Sequence, residues 1–443
     1  MSLLREFDQR NPAELGASLH RFATDLYPIC RSITGEGIRR TLAMIGERIP
    51  LRTTETPTGT PVFDWTVPKE WNIRGAYIQN PAGNRILDFQ NHNLHVLNYS
   101  VPVQATMPLS ELKAHIHTLP EHPSWIPYRT SYYQENWGFC MAYSQLQALE
   151  DGDYRVCIDA ALESGNLTYG ECYLPGQSTD EVLISCHACH PSLANDNLSG
   201  LSVATFLAQF LSGRDLRYSY RFLFIPGTIG AITWLARNRE GASRVRHGLV
   251  LTCIGDSGGF HYKKSRRGTA EIDRAMAHVL GHQNEAYEIM EFSPYGYDER
   301  QYCSPGFNLP VGCLMRSVWG SFPQYHTSAD NLDFIRPEAL AASLRVCTAV
   351  VDLLEGNRKY HNLQPYCEPQ LGRRNLYRST GGDAIALEIN ARLWVLNLSD
   401  GEHSLLDIAE RSGLPFRAIR DAADVLVDAQ LLAPVASKAP GIS

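Results

Sequence analysis

Apolar residues recur at helical spacing near the start of the chain, for example at Leu19, Phe22, Leu26 and Ile29, and predict helices over 12–30 and 36–48. Between them, Cys30-Arg31-Ser32-Ile33-Thr34-Gly35-Glu36-Gly37 reads as a loop whose Ser and Thr are expected to cap the second helix. From about residue 57 the pattern turns to short β-like runs, such as Val62-Phe63-Asp64-Trp65 and Ala76-Tyr77-Ile78, broken by prolines and the turn cluster Asn80-Pro81-Ala82-Gly83-Asn84. Beyond 155, apolar strands at 155–161, 181–186, 218–225 and 247–254 alternate with helices at 198–212, 228–239 and 270–280. That alternation predicts an α/β sandwich on a largely parallel sheet. A long helix follows Pro337, placed as a first-turn proline. Helices over 386–398, 404–412 and 416–430, separated by Asp400-Gly401 and Gly413-Leu414-Pro415, have helix-turn-helix spacing. The expected division is an α/β domain from 1–56 and 141–360, a small inserted β-rich domain at 57–140, and a third unit at 370–435.

Composition narrows the function classes. With 443 residues, 44% apolar and 20% charged, the chain can build two or three ordinary cores. Forty Lys and Arg against 47 Asp and Glu give a net charge of −7, which argues against coating nucleic acid or an anionic membrane. No run approaches 18 apolar residues, so no membrane-spanning helix is expected. The first residues, Met1-Ser2-Leu3-Leu4-Arg5-Glu6, lack a signal-peptide core, and a cytoplasmic location is expected. Eleven scattered cysteines fit buried thiols in a reducing compartment. Cys186-His187-Ala188-Cys189 is a CxxC, but it lacks the helix start of a thioredoxin-type redox site.

The segment with most chemistry runs from Glu181 to Gly200. An apolar strand ends in His187 and His190, and a loop then delivers Asn195-Asp196-Asn197 ahead of a helix. Ligands and metals gather at the carboxyl ends of strands in open α/β sheets. Imidazole plus carboxylate suits zinc, although any of the three Asx residues could equally be a helix cap. Asp256 lies at another strand end, His326 in a loop before the last long helix, and Asp298-Glu299-Arg300 in a loop with Tyr295 and Tyr297.

The pattern His187…Asn195-Asp196-Asn197-Leu198-Ser199-Gly200…Gly255-Asp256…His326-Thr327-Ser328-Ala329-Asp330 resembles the zinc aminopeptidase superfamily. A closer resemblance is to a bacterial aminopeptidase-like branch, often labelled polysaccharide-biosynthesis-associated. It is carried by Pro28–Gly35, Asp64–Trp71, Ser124–Tyr133, Cys189–Ser192, Tyr297–Pro305 and Tyr325–Asn331, and runs over about 12–435. It implies a zinc-exopeptidase-like α/β sandwich with an inserted small β-rich domain and a C-terminal winged-helix domain. It implies zinc ligands at His187, Asp196, Asp256 and His326, with His190 a substitute or orienting residue.

The superfamily places two adjacent glutamates after the strand ending at Ile225, the first a general base and the second a zinc ligand. Here Gly227 and Thr228 stand in those places. Thr228, shared with the branch, favours one zinc over two. Gly227 departs even from the branch and removes the base, a loss of roughly 10²–10⁴ in rate. Asp298 or Glu299 could replace it, Tyr295, Tyr297 or Tyr325 could stabilise an oxyanion, and Tyr325, Arg300 and Asp298 are candidate substrate contacts. Three functions follow as expectations. The first is a zinc-dependent hydrolase of a peptide or amide bond in a small substrate. The second is acyl transfer or cyclisation, which superfamily relatives that cyclise N-terminal glutamine show the scaffold permits. The third is a non-catalytic metal-binding scaffold or regulator. The third unit is near neutral and slightly acidic over 370–443, so nucleic acid is not the expected partner. A homo-oligomer through the insert or the winged helix is the alternative.

Overall fold

The computed structural model describes residues 2–376 and 383–435. Its described residues form two compact units. The larger, residues 10–273 and 285–345, is built on an eight-stranded sheet. Its strands are β1 (Leu51–Pro57), β2 (Asn166–Leu174), β3 (Glu181–His187), β4 (Ser219–Ile225), β5 (Val245–Leu251), β6 (Phe260–Lys263), β7 (Tyr287–Met290) and β8 (Val311–Met315). The spatial order is β1-β2-β4-β3-β5-β8-β6-β7. The central strands β4, β3, β5 and β8 are parallel, and β2 and β6 flank them antiparallel. Every residue of β3 and β4 is buried, as expected for strands covered on both faces.

The predicted helices form with small shifts at their ends. Pro12–Leu26, Glu36–Gly46, Gly200–Leu211, Ile229–Arg237 and Glu271–Gly281 match the apolar periodicities, and Pro337 opens the helix Pro337–Gly356. Ser32 and Thr34 do not cap the helix at Glu36. Ser32 Oγ donates to Asn98 Oδ1 at 2.6 Å, Thr34 Oγ1 accepts from the Trp71 N–H at 2.9 Å, and Asn72 Oδ1 accepts the Glu36 N–H instead.

A second, antiparallel sheet has the order Arg85–Asp88, Glu70–Gln79, Asp153–Glu163, Val103–Pro108. The strand expected over 155–161 therefore forms, but in this sheet and not in the large one. It pairs with Glu70–Gln79 along most of its length, so the small sheet takes one strand from beyond residue 140. Buried side chains of both sheets, among them Trp71, Val156, Leu183 and Ile225, pack in one continuous cluster.

The other unit holds residues 2–9, 274–284 and 346–435. It contains helices Asp383–Leu398, Leu405–Ser412 and Phe416–Asp428 and a three-stranded sheet in the order Asp400–Ser404, Lys359–Asn362, Leu432–Pro434. The expected Asp400-Gly401 turn is the start of a wing strand. Ser404 and Asp407 form a capping box, and Gly413 closes the helix in the left-handed region at φ 69°. The third helix carries Arg417 and Arg420 against Asp421, Asp424 and Asp428. Arg420 pairs with Asp352, and Asp421 pairs with Arg5. Among the described residues, no helix is long and apolar enough to cross a membrane.

Strand β3 is anchored at its N-terminal end by Glu181, which is fully buried. Its carboxylate accepts from Arg221 Nε at 2.6 Å, Arg221 NH2 at 2.9 Å and Arg244 Nε at 2.8 Å. Removing one partner from such a buried network leaves charge uncompensated. Glu181→Ala is expected to lose about 3 kcal/mol in urea unfolding; a loss within the range of surface substitutions would contradict this role.

Candidate metal centre

Three neighbouring parallel strands deliver the site from their carboxyl ends. β3 ends in His187, β4 runs into Pro226-Gly227-Thr228, and β5 leads to Asp256. The loop after β3 then folds so that the three adjacent Asx residues part. Asn197 Oδ1 accepts the Gly200 N–H at 3.1 Å, the capping role open to any of them from sequence. Asn195 links to the β5 end, accepting from Gly255 N at 2.8 Å and donating to Asp256 Oδ2 at 2.7 Å. Asp196 is left to face the histidines.

Asp196 is fully buried and lies among three imidazoles. Its Oδ1 is 2.8 Å from His187 Nε2, and its Oδ2 is 3.0 Å from His326 Nε2 and 3.8 Å from His190 Nδ1. The candidate ligand atoms of His187, His190 and Asp196 all lie within 4.8 Å of one another. Burial would push the Asp196 carboxyl up, but His190, His187 and the hydrogen bonds of His187 and His326 outweigh it and hold the group well below the usual carboxylate range. Burial, with the neighbouring imidazoles and Arg31, pushes His190 well down against the pull of the Asp196 charge. Its Nδ1 is buried with no hydrogen-bond partner. A buried imidazole nitrogen without a partner, 3.8 Å from a buried carboxylate, is a donor set that a divalent metal takes. The residues present therefore fit a metal ion.

The surroundings fix these groups. Asp330 Oδ1 and Oδ2 accept the backbone N–H groups of Asn195 and Asp196 at 2.6 and 3.0 Å. Tyr297 donates its hydroxyl to both Asp196 oxygens at 2.9 Å, stands 3.1 Å from the Tyr325 hydroxyl, and stacks on His187 at 4.3 Å between ring centroids. His326 has φ 56° and stacks on Tyr325. The inserted segment reaches it directly: the Tyr128 N–H donates to the His326 carbonyl at 2.8 Å, and the Tyr128 ring meets His190 and His326 edge-on. Arg31, also buried, donates to the His190 carbonyl at 2.8 Å.

Other expected residues stand apart. Asp256 is saturated by four donors, Asn195 Nδ2, Gly258 N, Ser317 N and Ser317 Oγ, and lies outside the histidine cluster. Glu299 is fully buried in an ion pair with Lys263 at 2.8 Å, and Lys263 Nζ also donates to the Tyr295 carbonyl. Asp298 is 1% exposed, and neither carboxylate oxygen has a hydrogen-bond partner. A Cβ built on Gly227 would lie 3.8 Å from Asp298 Oδ1 and 3.1 Å from His187 Cβ. Of the two carboxylates expected near position 227, Asp298 is the one that reaches it. The Arg300 Nε is buried without a partner. Cys186 and Cys189 are free thiols pushed upward by burial, Cys189 to about 12, so this CxxC is no redox pair.

A family model for a domain of unknown function, DUF4910, matches residues 20–357. The chain belongs to the DUF4910 family. A winged helix-turn-helix model matches 358–434. A Clostridium acetobutylicum protein, provisionally named a polysaccharide biosynthesis protein with an aminopeptidase-like domain, is 51% identical over 424 residues, 96% of this chain and 98% of that protein. A crystal structure from the same organism, provisionally described as a peptidase, has 50% identity and a TM-score of 0.93, covering 98% of this chain and 100% of that one. The zinc aminopeptidase BSAP of Bacillus subtilis shares the fold at 14% identity, with a TM-score of 0.55 over 76% of this chain and 94% of that one. A peptidase M28 precursor from Shewanella amazonensis does so at 13% identity, with the same TM-score over 80% and 96%. The DUF4910 chain is thus an aminopeptidase-like α/β fold followed by a winged helix.

Two positioning residues of this DUF4910 site were not singled out from sequence. Asp330 closed the quoted pattern, and the carboxylate spacing after His326 was its signal. Tyr128 is one of many aromatics in the inserted region, with nothing in the sequence to separate it from the rest.

Burial, then the charge of Glu299, push the Asp298 carboxyl up to about 8, against a smaller opposing effect of Arg300; Cys186, Cys189 and Tyr302 also face it. The folded chain keeps this proton where the unfolded chain has released it. Asp298 therefore costs stability from about pH 4 upward, until the cost levels off above about pH 8. Asp298→Asn should raise stability, read as melting temperature or urea midpoint, by a margin that widens by about 4 kcal/mol from pH 5 to pH 8 at ~1.4 kcal/mol per pH unit. A pH-independent difference would contradict the assignment.

Proposed function

We propose that this protein is a metal-dependent hydrolase of a peptide or amide bond in a small substrate, with zinc as the metal and one ion per chain. The observation that carries the reading is the buried Asp196 carboxylate among His187, His190 and His326, with the His190 Nδ1 left free of any partner. These four side chains would hold the ion. A single ion is supported by Thr228 in place of a carboxylate and by the four donors that already occupy Asp256. When bound, zinc supplies a Lewis acid for the carbonyl and lowers the pKa of a water to about 7.

The chain's own residues supply the rest. Asp330 holds the Asn195-Asp196 backbone, so the carboxylate cannot swing away. Tyr297 commits its proton to Asp196, and the neighbouring Tyr325 hydroxyl is the donor for negative charge developing on a substrate oxygen. Asp298 is the base of this reading in its ionised form, whose share grows as the pH rises toward about 8. Its carboxylate is unpartnered, and with glycine at 227 nothing fills the space in front of it. Gly227 has no left-handed φ and only one close neighbour, His187 Cβ, so a side chain there needs a small adjustment and no new backbone conformation. The residue is glycine for what it leaves open.

The test is a panel of aminoacyl amides and dipeptides assayed with zinc-loaded protein. Asp298→Asn should lower kcat by roughly 10²-fold or more, and Gly227→Glu should raise or restore hydrolysis by a similar factor. Chelation should abolish both activities. Unchanged hydrolysis in Asp298→Asn would remove it as the base. Absence of hydrolysis in every form, Gly227→Glu included, would overturn the hydrolase reading in favour of acyl transfer to an amine or of binding alone.

A further inference from the structure

The loop that brings Tyr297 and Asp298 to the metal cluster continues into a second recess. A cavity of about 440 Å³ is bounded by Trp65 from the inserted region, Thr228, Arg266, Phe292, Arg300 and the segment around Gln301, Cys303 and Ser304. Thr228 follows Gly227 in the chain, and Arg300 lies on the short helix that Asp298 begins, so the recess adjoins the cluster through both segments.

Its lining holds two arginines and no carboxylate. The Arg300 Nε is buried with no acceptor. Asp298, the acid that feels the charge of Arg300, makes no hydrogen bond to it. Arg266 is exposed and donates only to the neutral Asn308 side chain, at 3.1 Å. A guanidinium N–H enclosed without an acceptor is costly, and an oxyanion is the group that satisfies it best. The lining also holds two aromatic rings, Trp65, which is 45% exposed, and the half-buried Phe292. Rings of this kind offer a flat apolar surface beside the two cations. The volume is that of a small-molecule site.

We infer that this recess binds a small organic oxyanion, a carboxylate or phosphate on a body that packs against Trp65. On the hydrolase reading, on which this second step rests, it holds the part of the substrate remote from the cleaved bond. The substrate is then a compact acidic amide and not a long neutral peptide.

Calorimetric titration tests the recess without requiring turnover. The probes are phenylacetate, phenyl phosphate and the neutral phenylacetamide, each against wild type, Arg300→Gln, Arg266→Gln and Asp196→Ala. At least one anion should bind with a Kd of roughly 1 mM or tighter, and at least tenfold more tightly than phenylacetamide. Preference between the two anions identifies carboxylate or phosphate. Arg300→Gln should weaken the anion at least tenfold and Arg266→Gln at least threefold, while melting temperatures confirm that both variants are folded. Asp196→Ala, which disables the metal cluster, should keep anion binding. That outcome supports the recess even where no hydrolysis is found, so the two readings fail separately. Equal binding of phenylacetamide, or unchanged anion binding in Arg300→Gln, would overturn the inference.

Discussion

A carboxylate buried without a cation of its own is the constraint around which this site is arranged. Asp196 has no exposed surface, yet it stays ionised because three imidazoles and a tyrosine hydroxyl converge on its two oxygens. Each of those groups depends on a different part of the chain. His187 is the last residue of β3, His190 lies in the loop after it, Tyr297 precedes the short helix Glu299–Tyr302, and His326 sits in a left-handed turn. The Asp330 carboxylate fixes the Asp196 backbone from beneath. Losing any one support would leave a buried charge short of partners. On the reading proposed here, a zinc ion is the missing member of this arrangement, and the free nitrogen of His190 marks its place.

The sheet topology explains why these pieces meet. β3, β4 and β5 are parallel neighbours, so their carboxyl ends open on one edge. The inserted region belongs to the same edge in a practical sense. Its segment around Tyr128 pairs with the backbone at His326 and Thr327 and presses an aromatic ring on two of the histidines. The buried Arg31 ties the N-terminal loop to the His190 carbonyl. An insertion that read as a separate small domain in the sequence is therefore also a wall of the site.

What the sequence made legible was what depends on local pattern. Strands with continuous apolar runs, helices with apolar periodicity, Pro337 as a helix start, and the Asp196 and His326 motifs are all short-range signals. What it left hidden was set by long-range pairing. The run 155–161 looked like any other strand, and its partner Glu70–Gln79 decided which sheet it joined. Asp298 and Glu299 are adjacent acids with the same apparent promise; Lys263, 36 residues upstream of Glu299, ties up one and leaves the other bare. Asp256 stands at a strand end as ligands do, but Asn195 and Ser317 surround it. Ser32 and Thr34 had cap chemistry, and the insert took their hydrogen bonds first.

The account rests on the metal lying among three histidines and Asp196. The direct measurement is anomalous diffraction at the zinc edge from crystals of zinc-loaded protein. The account predicts one strong peak per chain, within bonding distance of His187, His190, His326 and Asp196, with Asp256 still held by Asn195 and Ser317. A second peak of comparable height, a peak bonded to Asp256, or no peak among the histidines would contradict it.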